Sequence, residues 1–181
     1  MSSPDFKQNY FELFGLPVSF DVDAAALGAR YRKLQAEMHP DRFAGASDLE
    51  QRLAVQYSSR VNEAYATLRK PLPRALYLLE LAGVSAEEVA SQRVDGGFLM
   101  MQMELREKLE SMHELIDPDT VLDHLLTEIE GDLREVRAIF AAAYAAGDHP
   151  AAAVACVKMQ YLYKLQSEAE QLESDLLEKG V

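Results

Sequence analysis

Apolar residues recur along this chain at intervals of three and four, the spacing of one face of an α-helix, and strict apolar–polar alternation is nearly absent. The pattern predicts an all-α protein. Helix caps and helix breakers set the bounds of the individual elements. The predicted elements are a short helix ending at Gly15, helices at about 23–38, 47–69, 74–82, 97–116, 119–146 and 149–178, and a short helix opening at 85.

Two of these helices begin with the spacing of a capping box, Ser47 to Glu50 and Ser85 to Glu88. The segment KPLPR at 70–74 interrupts the pattern with two prolines and is the best candidate for a linker. The last three helices are joined by short connections, which favour antiparallel neighbours. We therefore expect an N-terminal helical domain with a helical hairpin at 1–75, connecting short helices at 76–96, and a three-helix bundle at 97–181.

Charge separates the two parts of the chain. The formal net charge of −12 argues against nucleic-acid binding. Residues 1–75 hold 10 Lys and Arg against 9 Asp and Glu, whereas residues 76–181 hold 8 against 21. Such a difference indicates that the two parts face different partners. The sequence contains no candidate membrane span and no secretory signal, so a cytoplasmic location is the default expectation.

The predicted helix at 23–38 stops at the tripeptide His39-Pro40-Asp41. Proline fixes its own φ and lacks an N–H group, and it pushes the preceding residue out of the helical region. The tripeptide therefore ends the helix and projects two polar side chains near the tip of a helical hairpin. Three interpretations compete: a plain turn, a catalytic or metal site, and a stiff loop that another protein recognises.

Catalysis and metal binding have little support. A catalytic His–Asp pair needs a third group to act on, and no nucleophile lies near the tripeptide. The single cysteine, Cys156, lies mid-helix in AVACVKM and is predicted to be buried and inert. The other histidines lack the spacing of metal ligands: His113, His124 and His149. We therefore expect no enzyme activity, no metal and no cofactor, while the tripeptide alone leaves the turn and the docking loop both open.

Basic residues surround the tripeptide, with Arg30, Arg32 and Lys33 on the preceding helix and Arg42 directly after Asp41. A solvated helix face would explain them. In an otherwise acidic protein, a basic stripe that leads to a rigid loop also suits docking on an acidic partner. Charges of this kind mainly set the rate of encounter and its salt sensitivity.

The predicted helix at 97–116 carries apolar residues on two sides. One stripe should pack inside the bundle: Phe98, Met101, Leu105, Leu109, Met112 and Ile116. The opposite side carries Leu99, Met100 and Met103, followed by Glu107, Glu110 and Glu114, with Glu104 at its flank. An exposed apolar cluster edged by carboxylates is typical of an interaction site. Because methionine also fills core gaps, burial by a neighbouring element is an equally open interpretation.

The chain resembles the HscB family of J-type co-chaperones over nearly its whole length, in the segments YFELFGLP, MHPDRF, VNEAYATLRKPLPRALYLL, FLMMQMELREKLE and SEAEQLESDLLEK. The resemblance implies that the N-terminal domain is a J domain and that the chain serves iron–sulfur cluster assembly. It implies that the tripeptide and the basic residues contact the ATPase of a DnaK-type chaperone of the HscA kind: His39, Pro40, Asp41, Arg30, Arg32, Lys33 and Arg42. Asp41 would pair with a chaperone arginine, and His39 would supply a hydrogen bond.

In the HscB family the methionine-rich helix binds IscU, the scaffold protein on which iron–sulfur clusters are built. The resemblance implies the same role here for Leu99, Met100, Met103, Glu104, Glu107 and Tyr161. Tyr161 also falls on the apolar stripe of the last helix, so we expect it at an edge, with one face in the core and the other in the binding surface. Ser111 stands where some relatives have an acidic residue, which could weaken that end of the surface.

We therefore expect a non-enzymatic co-chaperone that stimulates an HscA-type ATPase and delivers IscU to it. Two alternatives stay open. One is a J-domain co-chaperone that serves another client through its acidic bundle. The other is a structural helical adaptor in which the tripeptide is incidental. Neither nucleic acid nor a membrane is an expected partner.

Overall fold

The computed structural model of the protein describes residues 7–114 and 117–179, apart from the side chains of Pro40, His113, Glu114 and Lys179. Regular structure within these residues is helical throughout, which confirms the all-α prediction. The helices are α1 (Tyr10–Leu13), α2 (Ala24–Glu37), α3 (Asp48–Arg69), α4 (Pro71–Leu81), α5 (Ala86–Ala90), α6 (Gly96–Glu110), α7 (Pro118–Ala145) and α8 (His149–Lys179), with 3-10 helices at Pro40–Phe43 and Ser111–Glu114.

The helix starts follow from local capping. Ser47 and Glu50 form the predicted capping box at the start of α3, and Ser85 and Glu88 form the second one at the start of α5. In the first box the Ser47 hydroxyl and backbone N–H both donate to the carboxylate and lower the pKa of Glu50. The backbone N–H and then the hydroxyl of Ser85 lower the pKa of Glu88. These short-range bonds satisfy N–H groups that a helix start leaves unpaired.

The chain divides into two compact units, Met1–Leu78 and Leu79–Val181, and the division falls within α4. The prolines of the KPLPR segment do not form an extended linker, because α4 already begins at Pro71 instead of at residue 74. Both prolines lie in its first turn, where the backbone nitrogens need no intrahelical acceptor. The three-part division into 1–75, 76–96 and 97–181 stays a prediction.

In the first unit, α2 and α3 pack together as the predicted helical hairpin. The rings of Tyr31 and Tyr65 stack across it with centroids 3.9 Å apart and planes inclined by 7°. The Tyr31 hydroxyl donates to Asn62 Oδ1 at 3.0 Å, and Gln35 Nε2 donates to the Tyr31 hydroxyl at 2.6 Å. These contacts fix the two helices against each other and so hold the loop that joins them.

In the second unit, α6, α7 and α8 form the predicted helical bundle, in which α8 packs against both other helices. Gly147, with φ at +74°, makes the turn between α7 and α8, where a side chain would be strained. The α6 helix ends at Glu110 and tightens into a 3-10 turn, so it is shorter than the predicted 97–116. Residues 115 and 116, at the predicted end of that helix, lie outside the described residues.

No helix within the described ranges combines the length and the apolar character needed to cross a membrane.

Candidate functional site

The predicted docking loop, here called the HPD loop (His39, Pro40 and Asp41), lies at the turn between α2 and α3. His39 has an extended backbone (φ −61°, ψ 131°), as expected before proline, and a 3-10 helix begins at Pro40. The side chains of His39 and Asp41 are 60% and 90% exposed. The loop therefore presents both polar side chains to solvent. The Pro40 side chain lies outside the description.

The two polar side chains of the HPD loop are linked to each other. His39 Nδ1 accepts a hydrogen bond from the Asp41 backbone N–H at 3.4 Å. An accepting Nδ1 carries no proton, so the neutral ring holds its proton on Nε2, which is then available as a donor. Nδ1 also lies 3.6 Å from Asp41 Oδ2. A donor and a carboxylate thus lie side by side.

The predicted basic residues divide into two groups. Arg30 Nη1 donates to the carbonyls of Phe14 and Gly15, which holds its side chain at the turn after α1. Arg42 folds back and donates to the carbonyl of Ala36, a free acceptor near the end of α2. Arg32 and Lys33 are exposed on α2. Their contact with a chaperone, like that of Arg30 and Arg42, stays a prediction.

Among the described residues, the charged side chains of Arg32 and Lys33 on the hairpin have no bonding partner. No ion pair or hydrogen bond joins either side chain to another residue within 7–114 or 117–179. Helix geometry puts both on the side of α2 away from the buried Leu27, at about 100° per residue. They are the two members of the basic set most free to meet an acidic surface.

Among the residues that the structure describes, neither a reactive thiol nor a metal cluster accompanies these groups. Cys156 is fully buried in α8, and burial raises the pKa of its thiol to about 12, so the thiol stays protonated. This confirms the prediction of a buried, inert cysteine. Within the described ranges, no three His, Cys, Asp or Glu side chains could hold a metal ion together.

The second candidate surface, here called the methionine patch, consists of Leu99, Met100, Met103, Glu104, Glu107 and Tyr161. Leu99, Met100 and Met103 are 40%, 65% and 71% exposed. Of the two interpretations, core packing and surface exposure, the structure supports exposure. Glu104 and Glu107 are also exposed and border the apolar side chains on α6. Long apolar side chains with a carboxylate rim provide a non-polar contact area with a defined charge at its edge.

The opposite side of α6 packs inward as the spacing predicts. The buried residues are Phe98, Leu105 and Leu109 on α6 and Met112 in the 3-10 helix that follows it. Met101 is partly buried, and Ile116 lies outside the described residues. Because this stripe anchors the helix in the bundle, the methionine patch must face away from the core.

Tyr161 occupies the predicted edge position on α8. Its side chain is 38% exposed, and its ring lies 6.2 Å from the buried ring of Phe98 at an inclination of 58°. Tyr161 therefore contacts the start of α6 through Phe98 and keeps part of its side chain exposed. Its role in binding stays a prediction.

Two residues near this edge have no counterpart in the sequence predictions. Asp95 caps α6 by accepting from the Phe98 N–H at 2.9 Å, and its other carboxylate oxygen lies 2.5 Å from Lys158 Nζ. The Lys158 hydrogen bond, followed by the backbone bond, lowers the pKa of Asp95 to about 2. The only local signal in the sequence is an aspartate directly before two glycines at a helix start.

Comparison with known proteins gives the family. Residues 94–170 match the family described as the HSCB C-terminal oligomerisation domain. A co-chaperone protein HscB homolog of Cupriavidus taiwanensis is 44% identical over 165 residues, which cover 91% of this chain and 93% of the relative.

Solved structures agree with this match. Chaperone HscB from Vibrio cholerae has a TM-score of 0.84 and 41% identity, covering 93% of this chain and 99% of its own. The crystal structure of human co-chaperone protein HscB has a TM-score of 0.86 and 31% identity, covering 94% of this chain and 85% of its own. With this identity over nearly the whole of both chains, the protein belongs to the HscB co-chaperone family.

Proposed function

We propose that this co-chaperone stimulates the ATPase of a DnaK-type chaperone of the HscA kind and delivers the iron–sulfur scaffold protein IscU to it. One observation carries the proposal: the chain has two exposed, chemically different surfaces, the HPD loop in the first unit and the methionine patch in the second. Two such surfaces suit a protein that holds two partners and does no chemistry of its own. We further propose that it acts in the cytoplasm without a cofactor.

The HPD loop is the proposed chaperone contact. The Asp41 carboxylate is 90% exposed and free to pair with an arginine of the chaperone, a charge-assisted bond that recognises the planar guanidinium. His39 adds an Nε2–H donor beside it. Arg32 and Lys33, on the same hairpin, speed encounter with an acidic chaperone surface.

The methionine patch is the proposed scaffold contact. The side chains of Leu99, Met100 and Met103 remove apolar area from water when a partner covers them, at about 25 cal/mol per Å². Methionine adapts its shape to a partner surface because its side chain is unbranched and polarisable. Glu104 and Glu107 supply the negative rim that selects a basic surface on the scaffold.

Holding both partners is what makes delivery efficient. A scaffold bound to the second unit stays near a chaperone bound to the first, so its effective concentration at the chaperone rises. Stimulation of the ATPase requires that the J domain bind the ATP-hydrolysing state of the chaperone better than the alternative state. The co-chaperone thus links the presence of cargo to hydrolysis.

The test is a steady-state ATPase assay of purified HscA-type chaperone in four mixtures: chaperone alone, with this protein, with IscU, and with both. We expect stimulation by this protein and greater stimulation with both additions than either gives alone. Stimulation without any IscU effect, combined with no IscU binding in calorimetry, would support a J-domain protein with another client. No stimulation in any mixture would leave the structural adaptor as the better account.

A further inference from the structure

We propose that Asp95 and Lys158 are positioning residues for scaffold binding: their ion pair holds the start of α6, with Leu99, Met100 and Met103, in one helical conformation against α8. This inference rests on the proposed function, because it concerns how the methionine patch is kept ready for the scaffold. Neither residue needs to contact the scaffold itself.

The start of α6 needs such support because it is intrinsically weak. The first two residues of the helix are Gly96 and Gly97. Glycine has the largest backbone entropy to lose and is about 1 kcal/mol less favourable than alanine in a helix. Leu99 and Met100 lie two and three residues after Gly97, within the same first turns, so fraying here would disorder exposed side chains of the patch.

Asp95 secures this turn through both carboxylate oxygens. Oδ1 accepts from the Phe98 backbone N–H at 2.9 Å, which satisfies one unpaired donor of the helix start. Oδ2 binds Lys158 Nζ at 2.5 Å, and this lysine comes from α8. The cap of one helix is therefore tied to the side of another, so α6 cannot fray without breaking an interhelical ion pair.

Lys158 adds a second contact on the same turn. Its Nζ lies 5.1 Å from the centroid of the Phe98 ring, a cation–π geometry. The Lys158 side chain is 22% exposed, so the ion pair is partly shielded from water on the lysine side. The lowered pKa of Asp95, about 2, agrees with a carboxylate held in its charged form.

The ion pair also connects the two helices that build the patch. Lys158 and Tyr161 are three residues apart on α8 and so lie on neighbouring positions of one face. The Phe98 ring is near both of them, 5.1 Å from Lys158 Nζ and 6.2 Å from the Tyr161 ring. The same turn of α6 is therefore in contact with both Lys158 and Tyr161 of α8, and the ion pair supports that contact.

Gly96 and Gly97 differ in the space that each has for a side chain. A Cβ on Gly97 would lie 3.3 Å from Asp95 Oδ1, which is tight, so glycine at this position leaves room for the capping carboxylate. A Cβ on Gly96 would meet nothing within 4 Å. Gly96→Ala therefore strengthens the helix start without disturbing the ion pair.

Asp95→Asn is the primary variant. Asparagine is as good a helix cap as aspartate, so this change removes the ion pair and keeps the cap. Its matched control is Asp117→Asn at the start of α7, where Asp117 caps Thr120 N–H in the same way. We expect Asp95→Asn to weaken IscU binding about tenfold by calorimetry. Binding would then have to order side chains that the variant leaves flexible, which lowers the affinity by about that factor for one side chain. Asp117→Asn should bind as the wild type does.

Variants of Lys158 break the same ion pair from the α8 side. Lys158→Gln should weaken IscU binding as Asp95→Asn does, and the double variant should lose little more than either single one. Lys158→Arg retains the charge and should bind within about twofold of the wild type. Lys164→Gln, on an exposed position of α8, removes the same charge elsewhere and is the control.

Two further readouts separate positioning from a direct contact. The methionine methyl NMR signals of Met100 and Met103 in the free protein should shift and broaden in Asp95→Asn. The double variant with Gly96→Ala and Asp95→Asn should bind IscU roughly twofold to fivefold more tightly than Asp95→Asn alone. Alanine stabilises the helix start and so replaces part of the lost support. A direct contact with the scaffold would not be rescued at Gly96.

The outcomes are distinct. If the wild type binds IscU and both Asp95→Asn and Lys158→Gln bind it with the same affinity, the positioning role is wrong and the proposed function stands. An affinity loss that Gly96→Ala does not restore, with unchanged methyl signals, would also overturn it, in favour of direct contact. Absence of IscU binding by the wild type would overturn the proposed function and this inference together.

Discussion

The ring of His39 accepts a hydrogen bond from the backbone N–H of Asp41, with 3.4 Å between Nδ1 and the amide nitrogen. The bond ties the ring to the start of the 3-10 helix that begins at Pro40. It leaves the Asp41 carboxylate, 90% exposed, as the open charge of the HPD loop. A loop that is ordered before it binds loses little conformational entropy on binding.

Asp41→Asn should abolish stimulation of the chaperone ATPase and leave IscU binding unchanged. Removing one partner of a charge pair at a protein interface costs about 2–5 kcal/mol. The measurement is the steady-state ATPase rate, with calorimetry of IscU binding on the same preparation. Asp48→Asn, another exposed aspartate of the hairpin, is the matched control. Equal loss of both activities would contradict the assignment of the two partners to separate units.

Replacing both Arg32 and Lys33 by Glu should slow association with the chaperone about tenfold at low salt. These exposed cations attract an acidic surface of the chaperone and so raise the rate of encounter. The difference from the wild type should narrow as salt is added. Stopped-flow association rates at several salt concentrations measure both effects. Reversal of Arg134 and Lys164, which are exposed in the second unit, changes the net charge equally and should have a smaller effect.

Replacing Leu99, Met100 and Met103 together by Ala should weaken IscU binding about 100-fold or more, because side chains at the centre of an interface carry most of its energy. ATPase stimulation without IscU should stay normal. The control is alanine at three other exposed apolar positions of the second unit: Val121, Ile139 and Leu177. A folded triple variant with normal IscU affinity would place the scaffold site elsewhere.

A pair of single alanine variants tests the two sides of α6. Leu105 is 1% exposed, and Leu105→Ala should lower the free energy of unfolding by about 2–5 kcal/mol through a cavity. Met103 is 71% exposed, and Met103→Ala should change it by less than about 0.5 kcal/mol. Urea denaturation followed by circular dichroism measures both. Equal losses would mean that α6 is rotated and that Met103 is buried as Leu105 is.

The Asp95–Lys158 pair predicts a defined pH dependence. Folding lowers the pKa of Asp95 from 3.8 to about 2, so its contribution to stability is present above pH 3.8 and is lost as the pH falls toward 2. The stability difference between the wild type and Asp95→Asn should therefore stay constant at neutral pH and shrink across that acidic window. Urea midpoints of both proteins at a series of pH values test this; a difference that grew on acidification would contradict it.

Local bonding explains why most helix starts could be predicted. The capping boxes at Ser47 and Ser85 open α3 and α5, as the sequence predicts, and Asp23 caps α2 by the same kind of local bond. Each of these bonds spans two or three residues, so the residue types and their spacing contain the information. The start of α4 at Pro71 was missed because a proline pair is compatible both with a linker and with a first helical turn.

The periodicity of α6 predicted which residues share a side, but it could not decide whether the second side is covered. Leu99, Met100 and Met103 are exposed because, within the described residues, no other element of the second unit buries them. Arg30 shows the reverse case, since it belongs to the predicted basic set and yet binds the carbonyls of Phe14 and Gly15. In both cases the outcome depends on elements distant along the chain.

The sequence by itself determined the all-α class, the family resemblance, the helix end at His39-Pro40-Asp41 and the two-sided character of the methionine-rich helix. Only the tertiary structure decided that the methionine patch is open, that the Tyr161 ring packs near Phe98, and that Asp95 meets Lys158 across 63 positions. Helix caps and helix faces depend on residues a few positions apart, which the sequence displays directly. Contacts between distant segments depend on how the helices pack, and packing is a property of the whole folded unit.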